Sequence, residues 1–268
     1  MLHASDTGHP CNNLLLGALP AEDYRRLVPQ LEVVQLEQKQ VLCTTGEPIG
    51  SVYFPSGGIV SLLVSNAEGV AVEAANVGHE GVVGLDVFLE VGASPGEAMV
   101  QVPGEAARIS ADAFLQAVDE SMALHRLLHR YTLALLHEIA RTAACNRLHP
   151  LEARLARWLM LLHDRCGGDH LALTQEFAAQ LLGVRRASVA KTLALLTQAG
   201  LIRRTRGGFT VLDWSGVQRM ACEDYGATRD MYDRVLTCDP TAKEPLRPAF
   251  GGRNGFAPQQ PAPEQPRP

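Results

Sequence analysis

The 268-residue chain has no pair of cysteines at CxxC spacing; Cys11, Cys43, Cys145, Cys166, Cys222 and Cys238 are scattered singly. That argues against a disulfide framework and against a zinc or iron–sulfur ligand set, so no metal is expected and the six read as ordinary reduced thiols. No run of about 18 uninterrupted apolar residues occurs, and the opening MLHASDTGHPCNN has neither a basic n-region nor an apolar h-region. The expectation is a cytoplasmic protein with no membrane partner. Also missing are a nucleophile elbow, a P-loop and a G-x-G-x-x-G after a strand, and HEIARTAACNRLH lacks HExxH spacing. An enzyme reading finds little in the sequence to support it, the paired acids being only scattered surface candidates.

The net charge of −5 is small, but it is unevenly placed. Between residues 30 and 110 ten acidic residues face two basic ones, Lys39 and Arg108, a balance of −8. Between 174 and 210 the sign reverses: Arg185, Arg186, Lys191, Arg203, Arg204 and Arg206 face only Glu176, a balance of +5. A local basic face of this kind is the electrostatic footprint of a phosphate-backbone binder.

Hydropathy patterning divides the chain into three ordered parts and two loose ends. After a leader (1–13), LLLGALPAEDYRRLVPQL has a short helical period with Pro20 at a helix start. From Leu31 to Ile109 come short β-type runs, LEVVQL, SVYF, GIVSLLVS, VAVEAANV and AMVQV, separated by turn signals such as TTGEP, PSGG and NAEG. Many short, closely spaced strands predict a roll or sandwich, here over 14–120. From Ala111 the pattern is helical for more than fifty residues. Leu124, Leu128, Tyr131, Leu135 and Ile139 fall at spacings of three and four, a continuous stripe that predicts pairing with a twin helix in a homodimer over 121–148, or alternatively an intrachain core face.

The HP at 149–150 breaks that helix, because proline disfavours helical geometry in the residue before it. The segment 149–237 then reads as helix, short strand, two small helices and a β-hairpin around Gly207 and Gly208, the order of a winged helix-turn-helix. Residues 238–268 are rich in proline, glycine and glutamine, and a disordered tail is expected. The fold class predicted is α+β: an N-terminal, jelly-roll-like β-roll, a long dimerisation helix and a C-terminal winged helix-turn-helix.

Within TQEFAAQLLGVRRASVAKTLALLTQAGLIRR, Thr174 is a natural N-cap beside Gln175, and Gly183 supplies the turn. Arg185, Arg186, Ser188 and Lys191 occupy the start and outer face of the second helix, with Leu181, Leu182, Val189, Leu193 and Leu196 as its packed side. In a helix-turn-helix the second helix presents its N-terminal residues to base edges, and arginine binds guanine bidentately. Arg186 is the candidate for that contact. Ser188 and Lys191 are placed to reach phosphates or a neighbouring base, and Arg203, Arg204 and Arg206 lie on the wing.

The whole layout over roughly 14–236 resembles the Crp/Fnr transcription regulators, most specifically in TQEFAAQLLGVRRASVAKTLALLTQAGLI, with VYFPSGGIVSLL and VGHEGVVGL as weaker matches. The resemblance implies a homodimer on an inverted-repeat site in double-stranded DNA, and RNA polymerase as a partner. Two departures qualify it. Where many members carry Glu after the recognition-helix Arg, this chain has Ala187. Where cyclic-nucleotide-binding members carry an Arg-Ser phosphate clamp, an ungapped alignment back from EAARISADAF gives Ser94 and Pro95. The candidate effector pocket is therefore Glu80, Gly84, Ser94 and Pro95, with no cation of the roll to meet a phosphate. No cofactor is predicted: cyclic AMP lacks its clamp, an iron–sulfur cluster lacks ligands with Cys11 alone near the N-terminus, and haem would have His79 as the roll's single histidine. The alternative function is a ligand- or partner-binding roll without DNA binding.

Overall fold

A computed structural model describes residues 12–237. The tail over 238–268 and nearly all of the leader, with Cys238 and Cys11, lie outside the described residues.

The chain enters through two short helices, α1 (Leu14–Gly17) and α2 (Ala21–Leu27). It then builds two antiparallel sheets that face each other. One orders β1 (Glu32–Leu36), β7 (Gly104–Ser110) and β3 (Ser51–Pro55); the other orders β2 (Val41–Cys43), β6 (Glu97–Val102), β4 (Ile59–Ser65) and β5 (Ala71–Val77). Alternation along β3 buries Val52 and Phe54 completely, while Ser51 and Tyr53 are half-buried, as the two-residue period of a strand requires. The β4–β5 turn is set by Asn66, whose Oδ1 accepts from Glu68 N and Val70 N, and by Gly69 at φ 78°. This is the expected roll. Two of its strands carry weak signals: β2 has three residues, and β7 (GEAARIS) is alanine-rich.

A short helix, α3 (Leu85–Phe88), sits between β5 and β6. The helical region beginning at Ala111 is two helices, because Ser121 stops one and caps the next: α4 (Ala111–Glu120) ends at it, and its hydroxyl accepts from Leu124 N at the start of α5 (Met122–Leu148). The His149–Pro150 break then separates α5 from α6 (Leu151–Cys166). Strand β8 (His170–Leu171), α7 (Gln175–Leu181), α8 (Arg186–Gln198), β9 (Ile202–Thr205) and β10 (Gly208–Val211) follow in the order of a winged helix-turn-helix, with β10 paired between β8 and β9.

Two further helices, α9 (Trp214–Met220) and α10 (Asp224–Thr237), were not anticipated from the sequence, and they overturn one expectation. The stripe Leu124, Leu128, Tyr131, Leu135 and Ile139 is covered by the chain itself. Leu124, Leu128 and Tyr131 are essentially inaccessible, Leu135 is buried and Ile139 partly so. All five pack in one cluster with Val52, Phe54 and Phe114 and with Tyr232 and Val235 of α10. The physical reason is α10: its apolar residues lie against the long helix, the Tyr131 and Tyr232 rings 6.1 Å apart. The intrachain alternative is the one the fold adopts. What α5 leaves exposed is a different line, Met122, His129, Leu133, Leu136, Ala140, Ala143 and Arg147, at spacings of seven, four, three, four, three and four.

Candidate nucleic-acid interface

The helix-turn-helix is built by local rules. Thr174 caps α7 by accepting from Phe177 N at 3.2 Å. Gly183 turns the chain at φ 64°, a left-handed conformation that favours glycine, and a side chain there would also press on Val72 of β5. Leu181, Val189, Leu193 and Leu196 are buried and Leu182 partly so, the packed side expected of them.

The polar side is a cationic surface. Arg185, the residue before the first turn of α8, and Arg186, Lys191, Arg203, Arg204 and Arg206 are all exposed. None of the six forms an ion pair among the described residues, although Glu176 is nearby in sequence. Arginines at the start of a helix oppose its dipole, whose positive end lies there. The same two features, amide donors at a helix N-terminus and unpaired guanidinium groups, act together on an anion brought from outside.

A groove of about 340 Å³ runs between the start of α7, the start of α8 and the wing, lined in part by Thr174, Gln175, Glu176, Arg186 and Arg204. It brings four of the predicted residues together. Arg185, just before α8, and Lys191 on it lie outside the groove, and Ser188 of the same helix is half-buried. Arg203 and Arg204, adjacent on β9, pair with Thr210 and Phe209 and point to opposite faces of the wing. Ala187 is exposed beside Arg186, so no carboxylate stands next to that guanidinium in sequence.

The predicted effector residues are not gathered into one pocket. Ser94 Oγ donates to Gly96 O at 2.7 Å inside its own turn, and Pro95 is exposed. Gly84 holds the start of α3 at φ 91°. Glu80 faces another way: its Oε1 lies 2.7 Å from Arg165 Nε, at the end of α6. The cation that meets Glu80 is thus neither Lys39 nor Arg108 of the roll but Arg165, 85 residues later.

That guanidinium is the centre of a buried network that the sequence did not disclose. Arg165 Nη2 and Nη1 reach the two carboxylate oxygens of Glu138 in α5 at 2.6 and 3.0 Å, and Nη1 also donates to Asn76 of β5. Tyr232 donates its hydroxyl to Glu138 Oε2 at 2.8 Å, and His79 Nδ1 lies 2.7 Å from Arg165 O. Beside it, buried Glu73 accepts from Ser61, Asn76 and the Trp158 indole. Burial pushes Glu73 above the ordinary carboxylate range despite those donors. For Glu138 burial acts in the same direction, but Arg165 and the Tyr232 hydroxyl more than reverse it, and its carboxyl is held below the ordinary value. GHEG is the turn that allows this: a side chain at Gly78 would strike Arg165, and one at Gly81 would strike the Tyr131 ring.

Comparison with known proteins follows this division. Residues 33–121 match the model of the cyclic nucleotide-binding domain and residues 153–220 that of the Crp-like helix-turn-helix domain, together more than half of the chain. The chain belongs to the Crp/Fnr family. Solved structures share the fold of these regulators. FixK2 from Bradyrhizobium japonicum is 15% identical over 72% of this chain and 98% of its own, with a TM-score of 0.61. The c-di-GMP responsive global regulator CLP of Xanthomonas campestris is 18% identical over 72% and 100%, at 0.58. TTHA1359, a CRP/FNR family regulator from Thermus thermophilus, is 21% identical over 71% and 98%, at 0.56. No curated protein sequence matches the chain. The Crp-like match ends at Met220, so α10, which covers the stripe of α5, lies beyond it. No helix among the described residues is long and apolar enough to cross a membrane.

Proposed function

We propose that this Crp/Fnr regulator acts in the cytoplasm as a homodimer that binds double-stranded DNA sequence-specifically, reading it with the start of α8 and gripping its backbone with the wing. The carrying observation is the set of six exposed cations on α8 and the wing without an ion-pair partner among the described residues. Arg186 beside the groove is assigned the base contact, with Arg185, Lys191, Arg203, Arg204 and Arg206 on phosphates, and Thr174, Gln175 and Ser188 flanking them.

The exposed line on α5 supports the dimer. Leu133 and Leu136 are 52% and 58% exposed, and with Met122, His129, Ala140 and Ala143 they keep the alternating three-and-four spacing of a coiled-coil seam. Two-fold symmetry through that seam would set two recognition helices on half-sites about one DNA turn, ~34 Å, or a multiple apart, an inverted repeat. The roll is assigned a retuned sensor role, since Ser94 and Pro95 offer no phosphate clamp and Glu80 is committed to Arg165.

The test is retention of genomic fragments by the purified protein at two salt concentrations, with and without cyclic AMP. An inverted repeat recovered without added ligand, with affinity falling steeply as salt rises, is expected. Arg186→Ala should lose about 1–3 kcal/mol on that site and little on random DNA. A flat salt response refutes the phosphate contacts, recovery only with cyclic AMP refutes the retuned sensor, and no enrichment under any condition moves the reading to a roll that binds a ligand or partner without DNA.

A further inference from the structure

The cysteines show no pairing in the sequence, but the fold brings two of them into contact across 77 residues. Cys145, in the last turn of α5, and Cys222, in the link between α9 and α10, have their sulfurs 3.4 Å apart. One oxygen and one nitrogen donor complete the group. Asp224 Oδ2 lies 3.6 Å from Cys222 Sγ, and His149 Nε2 lies 3.4 Å from the same Oδ2. The donor atoms of Cys145, Cys222 and Asp224 all fall within 4.8 Å of one another, and all three residues are buried. His149 is fixed at the end of α5 by its backbone N–H to Cys145 O at 3.1 Å, so its ring stands at the mouth of the group, 21% exposed.

We propose that Cys145, Cys222, Asp224 and His149 form a four-ligand site for a zinc-class divalent cation. A tetrahedral ion with metal–sulfur bonds of about 2.3 Å and metal–nitrogen or –oxygen bonds of about 2.0–2.2 Å needs donor atoms roughly 3.3–3.8 Å apart. The three measured neighbour distances fall in that range and the Cys145 and Asp224 donors lie within 4.8 Å of each other, so the ring of His149, now held on Asp224 and Glu223, has to turn toward the sulfurs to complete the set. The charges also balance. Two thiolates and one carboxylate carry −3, the ion +2, and Arg141, whose Nη1 lies 3.2 Å from the other oxygen of Asp224, +1. Arg141 thereby fixes the non-ligating oxygen, the kind of outer contact that orients metal ligands.

The same atoms are less suited to a disulfide. A disulfide would engage the two sulfurs alone, whereas the fold also places an oxygen and a nitrogen donor beside them. A divalent ion would displace the thiol protons and take the sulfur, oxygen and nitrogen donors together. The site joins the end of α5 to the first residue of α10, the helix that covers the α5 stripe, and Cys222 and Asp224 lie beyond the segment matched to the Crp-like domain.

Cobalt(II) titration of the full chain, stripped with a chelator under reducing conditions, tests the assignment. One equivalent of Co²⁺ should produce sulfur-to-cobalt charge-transfer absorption in the near ultraviolet and tetrahedral d–d bands in the visible, both bleached by Zn²⁺. Cys145→Ser and Cys222→Ser should abolish the charge-transfer band, Cys166→Ser should retain it, and His149→Ala should keep it with affinity at least tenfold weaker. If the serine variants fail to fold by circular dichroism, Cys222→Ala, which removes one donor and adds no polar group, carries the test. The proposal is overturned by wild-type protein without bands, by 1:1 binding that persists in folded Cys222→Ala, or by a native Cys145–Cys222 disulfide in protein that takes up no metal. None of these readouts requires DNA.

Discussion

Replacing Arg165 with methionine should be among the most damaging single changes in the molecule that leave the DNA-facing residues untouched. The guanidinium is 4% exposed, Glu138 1% and Glu80 9%, so the substitution leaves two buried carboxylates without their cation. Glu138 would keep only the Tyr232 hydroxyl, and Glu80 the Gly78 amide. Removing one partner of a buried pair costs about 3–5 kcal/mol, because the survivor's desolvation is no longer offset. For a chain of this size each kcal/mol moves the midpoint by about 2–4 °C, so Tm should fall by roughly 6–20 °C. The loss should also depend on pH. In the wild type Glu138 is held below its ordinary value, so its contribution is present above the unfolded pKa, about 4.3, and is lost as pH falls through the lower folded one. In the variant only the Tyr232 hydroxyl and the Arg157 charge still oppose burial, so the folded pKa should rise above the unfolded one and the buried acid should take up a proton readily. The gap between wild type and variant should therefore narrow between pH 7 and pH 5. Calorimetry at both pH values and one fixed protein concentration measures it. A loss below about 1 kcal/mol at pH 7, or an equal loss at both pH values, refutes the reasoning.

Three other outcomes follow from the same structure. Leu133→Glu with Leu136→Glu should convert the proposed dimer to monomer in sedimentation with the thermal transition of the isolated chain retained, whereas Leu128→Glu, in the chain's own core, should fail to fold. Gly81→Ala should lose about 1–3 kcal/mol by forcing a methyl group against the Tyr131 ring, measured by urea unfolding; an unchanged midpoint would show that the turn yields. Glu73 is raised by burial, so between the unfolded pKa and the higher folded one the native state holds the extra proton and stability falls as pH rises; Glu73→Gln should remove that slope from the stability–pH profile.

The elements most legible in the sequence were those fixed by local chemistry. Thr174, Gly183 and the Gly207–Gly208 turn define the helix-turn-helix and its wing through capping and positive-φ rules that act over a few residues. The β-branched runs between sharp turns predicted most of the roll. Strand β7 was less visible because alanines carry little strand preference and its pairing with β1 and β3 is decided at long range. The spacing on α5 marks the stripe as apolar and fits either a twin helix or an intrachain core, since it gives a face without saying what covers it. α10, with its mixed composition DYGATRDMYDRVLT, gave no warning that Tyr232 and Val235 would cover it.

Residue order was enough to establish the succession of elements, the position of the turn between α7 and α8, and the excess of positive charge from 174 to 210, because each depends on residues within a few positions of one another. It took the folded chain to settle which face of α5 is inside, that Glu80 meets Arg165 rather than a ligand of the roll, and that Cys145, His149, Cys222 and Asp224 converge. Those are meetings of residues far apart in the chain, 85 positions for Glu80 and Arg165 and 94 for Glu138 and Tyr232, and the selecting force is burial: once α10 lies on α5, the polar groups enclosed between the roll and α6 must find partners among themselves.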